Sequence, residues 1–177
     1  MDHRHVAGRF NARVGTRFRT LLLGGAAEPL YLPASGARPA LIRYTRDYAQ
    51  SALHEIAHWL VAAPARRGQV DYGYWYQPPP RSPADQQRFY AAEAPVQALE
   101  MLLCLASSVP FGFSADNPGA DGAAPRQAFE TAVRVRFQRL LQTGAVRDAA
   151  TLAALEAFDP AWRARAADER RLIGTGA

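Results

Sequence analysis

Ala52-Leu-His-Glu-Ile-Ala-His-Trp59 carries two patterns at once. Leu53, Ile56, Ala57 and Leu60 recur at three- and four-residue intervals, which predicts a helix over residues 46–63 with an apolar stripe, stopped by Pro64. His54 and His58, four apart, project on one side of that helix about a turn apart. Their ring nitrogens can converge on one cation at about 2.1 Å. Two histidines can share a helix by chance. Here the stripe sets them at the boundary of the core rather than on an open surface, and a pair at ligand spacing there reads as a metal site. Glu55 points to the neighbouring sector and can reach a metal-bound water.

Two imidazoles leave a divalent ion under-coordinated. The remaining histidines, His3 and His5, lie far upstream, so a carboxylate from the next helix is the natural third donor. Glu93 and Glu100 are candidates, seven apart and so on roughly one face. Glu93 sits beside Pro95, where a break would aim it into a cleft; Glu100 lies among Leu99, Met101 and Leu102, where a structural carboxylate fits as well. Spacing favours Glu93 and leaves Glu100 open. Two histidines and one carboxylate serve zinc hydrolysis and Fe(II) oxygen chemistry equally.

Outward from the metal helix, Val6, Phe10, Val14 and Phe18 recur every fourth residue and predict an amphipathic helix in the first twenty residues. Residues 20–23, 29–32 and 40–44 are short apolar runs separated by Gly24-Gly25, Pro33 and Ser35-Gly-Ala-Arg-Pro39, and read as strands joined by turns. Asp71-Tyr-Gly-Tyr-Trp-Tyr76 alternates and reads as a strand, ended by Pro78-Pro79-Pro80. Ser82-Pro83 is a cap and first turn for a helix reaching Ser108, with a kink or fresh start expected near Ala94. Residues 110–124 read as a loop. Phe129, Ala132, Val133, Phe137, Leu140 and Leu141 mark a helix over 125–143, stopped by Gly144, and shorter helices are expected at 151–158 and 160–170. The expected fold is α+β: a single domain over residues 1–177, a small sheet packed with several helices, and the histidine helix at the centre.

Composition narrows the chemistry. All 21 basic residues are arginine, which excludes a lysine Schiff base and a Gly-Lys-Ser/Thr phosphate loop. Cys104 is the single cysteine, so no internal disulfide or cysteine-rich zinc cluster can form. A formal charge of +5 favours an acidic partner, although the arginines are scattered and direct nucleic-acid binding is not expected. No apolar stretch approaches the ~20 residues of a membrane span, and no apolar segment follows the basic N-terminus as in an export signal. A cytoplasmic monomer without membrane contact is expected.

Several segments together resemble the elongation factor P hydroxylase family: Ala52–Trp59, Arg66-Arg67, Val70-Asp-Tyr-Gly-Tyr-Trp-Tyr76, Glu93 with Gln97-Ala-Leu-Glu100, Pro110-Phe111, Asp116-Asn117, and Glu28-Pro-Leu-Tyr-Leu-Pro33 upstream. The resemblance runs in order through roughly residues 28–118. It implies an iron-type metal held by His54, His58 and Glu93. It also implies hydroxylation of a lysine on elongation factor P already extended by a β-lysyl group, with dioxygen as co-substrate. Ala94-Pro95-Val96 and Gln77-Pro-Pro-Pro-Arg81 depart from the family pattern, in the substrate loops more than in the ligand set. No arginine clamp that would mark a 2-oxo acid co-substrate is legible.

With an iron site, Glu55 has no need to be a general base and can orient a ligand or water. Tyr72, Tyr74 and Tyr76 would share one strand face and Trp75 the other, lining a cleft or packing as core. Asp71 can meet a substrate ammonium or cap a turn. Arg66 and Arg67 can face the acidic surface of elongation factor P. Two other readings stand beside this one: a zinc hydrolase, peptidase-like, with Glu55 activating a water, and a non-catalytic arginine-rich RNA-binding domain.

Overall fold

The N-terminal four-residue repeat becomes one uninterrupted run of helix in the computed structural model, which describes residues 1–73, 80–114, 123–143 and 148–174. Helix α1 (His3–Phe10) widens into a π-helical turn, Asn11–Gly15, and resumes as α2 (Thr16–Phe18). Positions four apart overshoot an α-helical turn by about 40° each time. The wider turn takes up that drift, so Val6, Phe10 and Val14 all reach the core with no exposed surface. A side chain could not replace Gly15, whose Cβ would lie 2.4 Å from the Thr20 carbonyl oxygen.

Three strands follow: β1 (Thr20–Ala26), β2 (Leu30–Leu32) and β3 (Ala40–Thr45), in spatial order β1-β3-β2. β3 is central, parallel to β1 and antiparallel to β2. Their alternation sends Leu22, Tyr31, Ile42 and Tyr44 into the core. Helix α3 (Ala49–Val61) packs on this sheet and on α1, burying Leu53, Ile56, Ala57 and Leu60, the stripe read from the sequence. Trp59 locks the layers together, with Phe10 and Phe18 edge-on at 5.7 and 5.8 Å and the Arg67 guanidinium 4.2 Å from its ring.

Helix α4 (Pro83–Ser107) starts on Ser82, whose hydroxyl accepts from the Asp85 N–H, and ends on Ser108 in the left-handed region. The break expected near Ala94 does not occur, and the helix continues through Pro95. The carbonyl that loses its donor belongs to Ala91, an exposed residue, where water can replace the missing bond. α4 is also long and apolar enough by composition to cross a membrane, contrary to the sequence reading, but 67% of its apolar window is buried inside the fold. It is the core helix, packed against α3 and against α5 (Ala123–Thr143), α6 (Ala149–Phe158) and α7 (Trp162–Gly174). Tyr90 stacks on Phe129 at 4.4 Å across the α4–α5 contact.

The strand expected at 71–76 is overturned over its first half. Val70–Gly73 is a 3-10 turn in which Asp71, Tyr72 and Gly73 have φ of 47°, 58° and 64°. Tyr72 is pulled into the core, stacked on Tyr31 at 4.2 Å, and the Asp71 carboxylate accepts from the Tyr31 N–H at 2.8 Å. These contacts with a distant strand outweigh the alternation of aromatic residues. Tyr74, Trp75, Tyr76, Pro78, Pro79, Asp116, Asn117 and Gly144 lie outside the described residues.

Candidate metal centre

Helix α3 presents Gln50, His54 and His58 along one line, a turn apart, to the facing side of α4. From α4 a stripe of polar residues answers, Glu93, Gln97 and Glu100, all buried. The Nε2 atoms of His54 and His58 lie 3.1 Å apart. Glu93 Oε1 is 3.3 Å from His58 Nε2, and its Oε2 is 3.8 Å from His54 Nε2. One donor atom from each of His54, His58 and Glu93 falls within 4.8 Å of the others.

This arrangement fits a transition-metal ion. Donors bound at about 2.1 Å stand about 3.0 Å apart at right angles and about 3.4 Å apart in a tetrahedron. The two shorter separations fall in that range and the third is slightly wider. The histidine side chains keep 23% of their surface exposed while Glu93 keeps 9%, so the donor cluster is most deeply buried on its α4 side. Three protein donors leave further coordination positions for a reactant.

Glu100 is not one of the converging donors. Its Oε2 accepts from His54 Nδ1 at 2.8 Å and its Oε1 from Gln50 Nε2 at 2.8 Å, with only 1% of its side chain exposed. A carboxylate can only accept, so it fixes the His54 ring with Nε2 turned towards His58 and Glu93. The choice that spacing left open is thereby divided: Glu93 faces the histidine pair, and Glu100 orients one of its members.

Two glutamines extend this support to the segment after α4. Gln50 donates to the Gly112 carbonyl at 2.6 Å and accepts from its N–H at 3.2 Å. Gln97 makes the same two-way pairing with Ser114, at 2.7 and 3.3 Å. Gln50 thus links residues 109–114 to Glu100, and Gln97 also bonds Glu93. Sequence reading assigned neither a role. The signal was there: Gln50 lies one turn before His54, and Gln97 falls between the two carboxylates on the same face of α4.

The remaining residues singled out in the sequence lie around this centre. Glu55, partly buried beside the pair, has its carboxyl pushed up by burial, against the lowering pull of His58 and His54. The Tyr72 phenol is pushed up by burial and then by the Glu55 charge. Arg67 lies at the end of α3 and donates to the carbonyls of Trp59, Leu60 and Ala62, where a cation complements the helix terminus. Arg66 is exposed and donates to the Tyr72 carbonyl at 3.2 Å. Asp71 accepts from the Tyr31 N–H on β2, which ties its turn to the sheet rather than capping the turn itself.

Electrostatics predicts how a metal enters. Burial lowers the His54 imidazole, but the charges of Glu100, Glu93 and Glu55 outweigh it and hold its pKa up at about 10. Burial raises the Glu93 carboxyl, but His58 and His54 outweigh it and hold it at about 2. Below pH 10 the metal-free His54 therefore carries a proton that a metal must displace. Metal binding at pH 7 is expected to release about one proton, and the apparent affinity to rise with pH. Titration calorimetry in two buffers of different ionisation enthalpy measures that release. For the metal-free chain, the His54 contribution to stability is full below pH 6.5 and lost as pH rises towards 10. The Glu93 contribution is full above pH 4.5 and lost as pH falls towards 2.

An α+β domain in which two facing helices converge two imidazoles and a carboxylate has the donor set of a possible metal site, compatible with hydrolytic or oxidative chemistry. Comparison with known proteins supplies the family. The family model for elongation factor P hydroxylase matches residues 9–168. The chain is 39% identical over 162 residues to the elongation factor P lysine hydroxylase of Haemophilus influenzae, covering 89% of this chain and 90% of that protein. The chain belongs to the elongation factor P hydroxylase family.

Proposed function

We propose that this chain hydroxylates elongation factor P at a lysine side chain extended by a β-lysyl group. The reading places iron(II) at His54, His58 and Glu93, with dioxygen as co-substrate, in the cytoplasm where translation factors work. The observation that carries it is the convergence of these three donors in a chain of this family.

Bound there, iron supplies the power to oxidise a C–H bond with dioxygen, which no side chain possesses. The protein supplies placement. Glu100 holds the His54 ring, Gln97 holds Glu93, and both connect to residues 109–114, so the donor set is fixed before substrate arrives. Glu55, with its raised affinity for a proton, orients a water or reactant at the metal. On the substrate side we assign Asp71, Arg66 and Arg67, together with Tyr74, Trp75 and Tyr76. Arg67 and Asp71 act through the turn they brace, and exposed Arg66 can meet the acidic protein directly.

Intact-mass measurement of lysylated elongation factor P, incubated with the metal-loaded protein in air, tests the reading. A gain of one oxygen that disappears with His54→Ala is expected. An unchanged mass removes the reading, and metal-dependent cleavage of peptides instead would restore the zinc hydrolase with Glu55 as its base.

A further inference from the structure

The outer face of the sheet has no part in the metal centre. Register across the strands sets Leu21, Leu41 and Leu32 in one row and Leu23, Arg43 and Leu30 in the next. These six side chains point away from the buried face that carries Leu22, Tyr31, Ile42 and Tyr44. Leu23, Leu30 and Leu32 expose 40%, 36% and 38% of their surface. Clustered exposed leucines on a strand face mark an interaction surface more often than a solvated one.

The sheet edges do not offer the alternative of strand addition. The Asn11 side-chain amide occupies β1, donating to the Leu22 carbonyl at 3.0 Å and accepting from its N–H at 2.8 Å. On β2, the Asp71 carboxylate takes the Tyr31 N–H. A partner must therefore use the face.

Charge selects the partner. Arg43 lies in the middle of the leucines, and its Nη2 makes a long bond of 3.3 Å to the Gly24 carbonyl. A half-buried guanidinium held by one long bond gains from an incoming carboxylate. Exposed Arg19 and Arg38 flank the end where β1 and β3 begin, and no acidic residue occurs from Pro29 to Arg46. A second copy fits poorly, because a two-fold contact centred here would oppose Arg43 to itself. Three strands, one of them only three residues long, also fall short of the roughly 800 Å² per partner of a standard stable interface. The face suits a transient acidic partner, as an enzyme's protein substrate is. The strands of this face connect to the elements of the centre, since β2 touches the turn that carries Tyr72 and β3 leads into α3.

We propose that the Leu21/Leu23/Leu30/Leu32/Leu41 face, with Arg43 at its middle, docks a carboxylate-bearing apolar patch of the protein substrate away from the reacting lysine. The proposal rests on the hydroxylase reading above. Its test is the steady-state hydroxylation of lysylated elongation factor P by Leu30→Glu, Leu32→Glu and Arg43→Glu variants, with metal content and melting temperature measured alongside. The exposed leucine positions keep the test valid if Arg43→Glu fails to fold. KM is expected to rise about tenfold while kcat stays within about twofold, and added salt is expected to raise the wild-type KM. Unchanged KM in folded, metal-loaded Leu30→Glu and Leu32→Glu overturns the docking surface and leaves hydroxylation standing. A wild-type dimer that Leu32→Glu converts to monomer in sedimentation gives the face to a second copy and also overturns it. Failure of the wild-type protein to oxidise elongation factor P removes the hydroxylase reading and the docking surface together.

Discussion

Glu93→Ala is expected to leave a folded chain that neither retains metal nor oxidises its substrate. The carboxylate lies 3.3 Å from His58 Nε2 and 3.8 Å from His54 Nε2 and belongs to the donor group. Losing an outer hydrogen-bond partner of a metal ligand costs about 10- to 100-fold in affinity or activity, so losing a donor itself should cost more than about 100-fold. Metal analysis after dialysis, followed by intact-mass assay, reads both effects. The same change bears on the metal-free fold. There Glu93 is the anion that His54 and His58 face, and its removal should shrink the loss of stability on acidification towards pH 2. Stoichiometric metal retained by the Glu93→Ala variant would show that the third donor lies elsewhere.

Glu100→Ala should be nearly as damaging although Glu100 is not one of the converging donors. It removes the acceptor for His54 Nδ1 and for Gln50 Nε2 at once, in a position 1% exposed. Breaking a buried charged pair of this kind costs on the order of 3 kcal/mol, read as a lower melting temperature. The freed His54 ring should lower metal affinity by about 10- to 100-fold. Glu100→Gln will not rescue it fully. Two donors converge on two different oxygens, and a glutamine offers one oxygen and one NH2, so one donor must face another. A cost of about 1–3 kcal/mol is expected for the isosteric change. Wild-type stability and affinity in both variants would reduce Glu100 to ordinary packing.

Much of this was legible in the residues themselves. The strands at 20–23, 29–32 and 40–44, the Leu53/Ile56/Ala57/Leu60 stripe and the Ser82 cap all emerged where period and capping chemistry placed them, because each depends on neighbours close in sequence. The misreadings depended on distant partners. Asp71–Tyr76 alternates like a strand, yet Tyr72 stacks on Tyr31, forty-one residues away, and Asp71 bonds the same strand. Pro95 reads as a break, but burial of α4 against four helices outweighs one missing hydrogen bond. Sheet order was equally hidden: β3 enters between β1 and β2, which no local period records. At the centre, spacing could rank Glu93 above Glu100 but could not reveal that Glu100 serves His54 from behind.

X-ray absorption at the metal edge of the purified, iron-loaded protein tests the central claim most directly. Two imidazoles and additional oxygen donors at about 2.1 Å are predicted, with one imidazole lost in His58→Ala. A spectrum without histidine scattering, or one unchanged by His58→Ala, would contradict it.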